Sequence, residues 1–222
     1  TEQYFYDYSR RRADKSRSFT ITGGSVGIAK KVKWPDDYFV WSNAISFQHY
    51  SLSNYNTGLF TFGDGHSNNL AYTIGISRNN TSVNPIYPLS GSDFSLTAKL
   101  TPPFSAFNNV DYKGLSEERE LQENILRDPN STSSQVVDAS QRRSEIDQER
   151  FNWLEYYKIK FKGSWYTRLM GKLVLKTSTE FGFLGAYNND RGVPPFERYF
   201  LGGDGLGAYS LDGREVIQLR GY

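Results

Sequence analysis

Residues 197–222 read ERYFLGGDGLGAYSLDGREVIQLRGY, and the rest of the chain is organised around this stretch. Glycine recurs too often here for a helix or for one long strand. The stretch nevertheless carries large apolar side chains that need cover, among them Tyr199, Phe200, Leu201, Val216 and Ile217. The pattern predicts that residues 184–222 form one long loop that folds inward and packs against another part of the chain.

Two short motifs in this stretch resemble a known family. Leu219-Arg220-Gly221-Tyr222 resembles the Val/Ile-Arg-Gly-Phe/Tyr motif of BamA-type outer-membrane assembly barrels, and Phe200-Leu201-Gly202-Gly203 resembles the aromatic-x-Gly-Gly element that precedes it. In that family both motifs lie on the sixth extracellular loop, which enters the barrel lumen. The residues that match are Phe200, Gly202, Gly203, Leu219, Arg220, Gly221 and Tyr222.

The resemblance implies a loop-anchoring role for these residues. Arg220 would point into the barrel and hold the loop there, because a guanidinium stays charged and has five donors. Gly221 would permit a tight turn, and Gly202 and Gly203 would allow the return path. The alternative is that Arg220 is a surface residue in a turn.

The composition bounds the class of protein. The 222 residues are 37% apolar and 16% aromatic, with no cysteine and a net charge of +2. Many tyrosines with few aliphatic residues favour a half-buried β surface, one side apolar and the other wet. The absence of cysteine excludes disulfides and thiolate metal sites, and the small net charge does not suggest a nucleic-acid partner.

Alternating apolar and polar residues predict six strands. The clearest case is 70–77, where Leu70, Tyr72, Ile74 and Ile76 share one face. In 153–165 the other face carries Lys158, Lys160 and Lys162, which would point to bulk water or to a water-filled lumen. The six segments are 19–34, 38–50, 70–77, 94–100, 153–165 and 172–183.

The connections between these segments alternate in length. Short turns at 34–37, 84–92 and 167–171 alternate with long loops at 51–68, 102–151 and 184–222. Residues 1–18 indicate a strand end and then a basic, polar loop. We expect 102–151 to be a long extracellular loop with one short helix at 115–127, with Ser116 as its N-cap, followed by a flexible 128–142.

The alternation of short and long connections predicts an all-β fold, an antiparallel transmembrane β-barrel with short periplasmic turns and long outer loops. Six strands cannot close a barrel, and an open edge in lipid is costly. Residues 1–222 would therefore be part of one barrel domain, which the resemblance implies has sixteen strands. A rival interpretation takes Tyr222 as a natural C-terminal aromatic residue.

Enzyme chemistry has little support in the sequence. His49 and His66 lack a metal-ligand spacing, so no metal site is predicted. Gly203, Gly205 and Gly207 lack the following helix of a phosphate loop. Asp204 and Asp212 could pair as in glycosidases, but nothing sets their separation. We therefore predict no enzyme and no cofactor.

The resemblance implies a function in the bacterial outer membrane, where such proteins insert and fold other β-barrel proteins. Its partners would be the remainder of its own barrel, accessory lipoproteins of the assembly complex, nascent outer-membrane proteins and outer-membrane lipid. One alternative is a related translocation pore of the same superfamily. A second is a passive outer-membrane channel that uses the lysine face as an anion path. A third is a soluble β-sandwich that binds glycans.

Overall fold

A computed structural model describes residues 2–7, 12–54, 62–81, 88–201 and 215–217. Seven strands form one antiparallel sheet in which each strand pairs with the next along the chain. A separate parallel pair joins β8 to β9. The strands are β1 (Glu2–Asp7), β2 (Arg12–Val32), β3 (Phe39–Ser53), β4 (Gly65–Asn79), β5 (Gly91–Leu100), β6 (Tyr157–Met170), β7 (Leu173–Gly185), β8 (Tyr199–Leu201) and β9 (Glu215–Ile217).

The predicted antiparallel β-sheet is confirmed, and the described sheet has one strand more than the six alternating segments. The extra strand is β1, which pairs with the first half of β2 from Arg12 to Thr20. The expectation of a polar loop in this region is therefore wrong for residues 12–18. Strand pairing uses backbone groups, so basic side chains do not prevent it.

The sheet is apolar on the face that it leaves exposed. Directly paired residues point to the same side, so the register Ile45–Tyr72, Ile76–Leu96 and Leu96–Phe161 joins the apolar rows of β3 to β6 into one surface. Ile45 is 58% exposed. A water-soluble sheet would bury such a row, whereas the wall of a membrane barrel turns it to lipid. Other exposed members are Val26, Ile28, Trp41, Phe47, Ile159, Trp165, Phe181 and Phe183.

The two ends of the sheet differ. The connections at 54–64, 101–156 and 186–198 leave from one end, which we call the loop end. The connections at 33–38, 80–90 and 171–172 lie at the other, the turn end. A buried cluster fills the polar side of the sheet near the loop end, with Phe19, Tyr50, Leu52, Phe62, Phe151, Leu154 and Tyr156 as members.

The connection between β5 and β6 forms two helices rather than the single short helix expected. Helix α1 spans Tyr112–Arg127, and its N-cap is Asp111, whose side chain accepts from the Gly114 amide at 3.1 Å, so the prediction of Ser116 as N-cap is wrong. Helix α2 spans Ser133–Arg150, so residues 133–142 are not flexible loop. None of the helices in the described ranges is long and apolar enough to cross a membrane.

The sequence pattern did not predict helix α2, because the contacts of this helix with the rest of the chain are mainly polar. Its buried residues are Ala139, Ile146, Asp147 and Arg150, which give only a weak apolar stripe. Its start is held by the Thr132 amide, which donates to the Gln135 side chain at 2.9 Å. The helix is therefore stabilised by hydrogen bonds and ion pairs more than by an apolar face.

Candidate functional site

The polar face of the sheet carries a row of lysines on β5 and β6. Lys158, Lys160 and Lys162 lie on the face of β6 opposite Ile159, and Lys99 of β5 is directly paired with Lys158. Lys160 and Lys162 share Glu180 of β7, at 3.2 and 3.9 Å. The structure thus brings the three predicted lysines together on the non-apolar face, and their exposure to a lumen stays a prediction.

Glu197 is the centre of this face. It lies in a short 3₁₀ turn (Pro195–Glu197) that follows β7, and only 8% of the residue is exposed. One carboxylate oxygen is 2.7 Å from the Lys99 Nζ, and the other is 3.3 Å from the Lys158 Nζ. The Tyr156 hydroxyl also donates to the carboxylate at 2.7 Å. We call this group the Glu197 clamp: Glu197 with Lys99, Tyr156 and Lys158.

The clamp keeps its carboxylate ionised. Burial by itself would raise the pKa of Glu197, but the charge and hydrogen bond of Lys99, together with Tyr156 and Lys158, lower that pKa below its ordinary value. The Lys158 ammonium also donates to the Glu197 main-chain oxygen at 3.1 Å. The contacts therefore position both the side chain and the backbone of the segment that follows β7.

Residues 199 and 200 continue along the same face. The Lys158 Nζ lies 4.5 Å from the centre of the Tyr199 ring, a cation–π contact. The ring covers Gly182 of β7, where an added Cβ would clash with the Tyr199 hydroxyl and ring atoms. Phe200 packs against the buried cluster near the loop end. Residues 197–200 thus lie on the polar face of the sheet.

Gly202, Gly203, Leu219, Arg220, Gly221 and Tyr222 lie outside the described residues. Among the matched residues only Phe200 is described, and its contact is with apolar neighbours.

An open pocket of about 360 Å³ lies on the polar face of the sheet beside the clamp. Lys99, Lys158, Lys160 and Glu197 line it, together with Gln48, Thr73 and Thr97. The pocket is therefore bordered by the strands and, from the return segment, by Glu197.

A second set of buried charges fixes the helices to the loop end of the sheet. Arg191 is 1% exposed, and its guanidinium donates to the Glu155 carboxylate at 2.9 Å and to the Arg150 carbonyl at 2.8 Å. The same Glu155 accepts from the amide and the hydroxyl of Ser105 at 2.7 and 2.8 Å. These bonds join three segments: the start of the β5–β6 connection, the end of α2 and the segment after β7.

Arg150 and Asp147 extend this set into the helices. Arg150 donates to the carbonyls of Asp190 and Arg191 at 2.9 and 2.7 Å. Asp147 accepts from Arg150 and from Arg119 of α1, at 3.3 and 2.8 Å. Burial lowers the pKa of the Arg191 guanidinium, although Tyr112 and Glu155 oppose that effect. Removal of Arg191, Asp147 or Glu155 would therefore leave an oppositely charged group buried with fewer partners.

Sequence reasoning missed the residues at the centre of both sets. Lys99 was visible as a polar-face residue of its strand, but Glu197 and Lys99 are 98 positions apart, and no local pattern pairs them. His49 and His66 come to lie with their ring centres 5.9 Å apart because β3 and β4 are paired. In the described ranges no group of three His, Asp or Glu could hold a metal ion.

Comparison with known proteins gives one match, to a protein family. A search of curated proteins gives no match. The sequence model of the Omp85 superfamily domain matches residues 2–222. Membership of this superfamily indicates insertion or translocation of proteins in general, at a bacterial outer membrane or its organelle equivalent. The antiparallel sheet with its exposed apolar face fits part of such a barrel, and the chain belongs to the Omp85 superfamily.

Proposed function

We propose that this chain is part of a BamA-like factor that inserts and folds β-barrel proteins in the bacterial outer membrane. Superfamily membership supports insertion or translocation in general. The narrower proposal rests on the resemblance of the terminal motif, and the observation that supports it is the Glu197 clamp, which holds the segment after β7 against the polar face of the sheet. That is the path expected of the inward loop that the terminal motif resembles.

In this proposal the chain supplies part of the barrel wall and a segment that supports the wall from inside. The apolar face of the sheet contacts lipid, and residues 197–200 stiffen the wall from the inner side. The strands of the remaining barrel pair with its edges, because unpaired backbone groups in hydrocarbon are costly. The β5–β6 connection lies on the extracellular side, since it leaves from the loop end.

The work proposed involves no covalent chemistry. A nascent outer-membrane protein would gain its strand pairing and its entry into lipid at a seam of the same barrel. Accessory lipoproteins are further proposed partners, and outer-membrane lipid contacts the apolar face. All three follow from the resemblance and from the exposed apolar band.

The alternative of a passive anion channel is less well supported. Glu197 pairs with Lys99 and Lys158, and Glu180 pairs with Lys160 and Lys162. The paired carboxylates reduce the positive potential that an anion path requires. A soluble β-sandwich is less well supported, because Ile45, Ile159 and other members of the apolar face are exposed in the part of the chain that the structure describes.

Depletion of the full-length protein in its native host tests the proposal. We expect the amounts of many different outer-membrane β-barrel proteins in the membrane fraction to fall together, and wild-type protein to restore them. A passive channel predicts an unchanged set of membrane proteins with altered permeability to small anions. Loss of one secreted protein, with the others unchanged, would identify a dedicated translocation pore and contradict the assembly role.

A further inference from the structure

The turn end of the sheet carries a basic rim. Lys30, Lys31 and Lys33 lie at the end of β2 and in the following turn, and all three are exposed. None of them forms an ion pair with another residue in the described ranges. Arg168, Lys172 and Lys176 add exposed positive charge at the β6–β7 turn. The acidic residues nearby are Asp36, which is paired with Arg78 at 2.6 Å, Asp37 and Asp93.

Aromatic and apolar side chains accompany these lysines. Trp34 is 83% exposed and Tyr38 is 52% exposed in the β2–β3 turn. Lys30 is directly paired with Trp41, which lies at the end of the apolar face. Met170 and Leu173 are similarly exposed at the β6–β7 turn. Rings at the border of an apolar band, with lysines beside them, are typical of a membrane–water interface.

The helical segment at the opposite end has the opposite charge. Residues 104–150, which contain both helices at the loop end, hold ten acidic and six basic residues. The turn-end rim and the helical segment therefore differ in the sign of their net charge, although the start of β2 adds basic residues such as Arg17 at the loop end. A positive rim attracts anionic lipid headgroups, while a negative surface repels them.

We propose that the rim formed by Lys30, Lys33 and Trp34 binds anionic phospholipid headgroups of the leaflet at the turn end. Lys30 and Lys33 contact the phosphates, and the Trp34 ring lies at the headgroup level beside them. The membrane orientation in this inference rests on the proposed function, in which the short turns face the periplasm. Charge complementarity selects an anionic lipid over a zwitterionic one.

Lipid retention by the purified full-length protein tests this. The protein in mild detergent is mixed with equal amounts of phosphatidylglycerol and phosphatidylcholine of the same chain length and repurified, and the bound lipids are quantified by mass spectrometry. We expect enrichment of phosphatidylglycerol at low salt. The enrichment should fall in 1 M salt, where the screening length is only about 3 Å.

A double variant with a matched control locates the effect. K30Q with K33Q should reduce the enrichment by up to about fivefold for each lysine removed. K113Q with R127Q removes the same charge from exposed positions at the loop end, where the side chains are 75% and 74% exposed, and should leave the ratio unchanged. D37N removes a nearby negative charge and should raise the enrichment, which provides a test should the double variant fail to fold.

Equal retention of the two lipids by the wild-type protein would overturn the inference. So would equal losses in the two double variants, since that would indicate a response to net charge alone. The lipid ratio does not depend on client insertion. If depletion leaves the other membrane proteins unchanged while the lipid preference is present, only the assembly role is contradicted. If depletion lowers the other membrane proteins while the lipid preference is absent, only the lipid site is contradicted.

Discussion

Replacement of Glu197 by Gln tests whether the clamp holds the return segment on the sheet. The carboxylate accepts from Lys99, Lys158 and Tyr156, and its side chain is 11% exposed. Glutamine keeps the volume and one acceptor oxygen but removes the charge. Both lysines would then lose their anionic partner in a largely buried position.

The size of the loss follows from the surroundings of the two lysines. Removal of one member of a buried ion pair costs about 3–5 kcal/mol. The lower limit applies here, because the Lys99 side chain is 25% exposed and can reach water. Lys158 also keeps the Glu197 main-chain oxygen at 3.1 Å and the Tyr199 ring at 4.5 Å. About 3 kcal/mol corresponds to roughly a hundredfold rise in the open population of the segment.

Hydrogen exchange measured by mass spectrometry on peptides that cover 193–201 reports this opening. We expect E197Q to exchange about a hundredfold faster than the wild-type protein in the same lipid environment. The matched control is E180Q, because Glu180 is 33% exposed and its pairs with Lys160 and Lys162 are worth at most about 1 kcal/mol. Exchange in E197Q within twofold of the wild type, or an equal effect of E180Q, would refute the reasoning.

The clamp also predicts a pH dependence. The folded pKa of Glu197 lies below its ordinary value of 4.5, so its contribution is complete above that value and is lost as pH falls through the folded pKa. Exchange of 193–201, corrected for the intrinsic rate, should therefore accelerate on acidification in the wild-type protein. It should show no such transition in E197Q.

Three further substitutions test other parts of the structure. G182A places a methyl group against the Tyr199 ring and should speed exchange at 193–201, whereas G24A meets nothing within 4 Å and should not. R191M leaves the buried Glu155 carboxylate without its guanidinium partner and should lower stability by about 3–5 kcal/mol. Faster proteolysis of the α1–α2 segment would report this loss, and unchanged cleavage would contradict it. I159R puts a charge on the apolar face and should destabilise the protein in bilayers by about 2–4 kcal/mol in denaturant titrations, while an unchanged midpoint would exclude lipid contact there.

The strand positions and faces were predictable because their signal is local. Alternation in 70–77 and 153–165 placed Tyr72 and Ile159 on the apolar side and Lys158 on the other, and the register agrees. Helix α2 was not predictable in the same way. Its buried residues include Asp147 and Arg150, which look like solvent-facing residues until their partners in α1 and in the segment after β7 are known.

The sequence by itself determined which residues extend and which face of each strand is apolar, because side chains alternate with a period of two whatever the partner strand is. The residues at the end of the chain also resemble a motif of the BamA-type family, and the loop-anchoring role of that motif stays a prediction. Only the tertiary structure decided that Glu197 neutralises Lys99 and Lys158 and that Arg191 is buried against Glu155. Those pairs join residues far apart in sequence, and they form because the segment after β7 passes the end of α2 and then returns over the polar face of the sheet, which no local pattern shows.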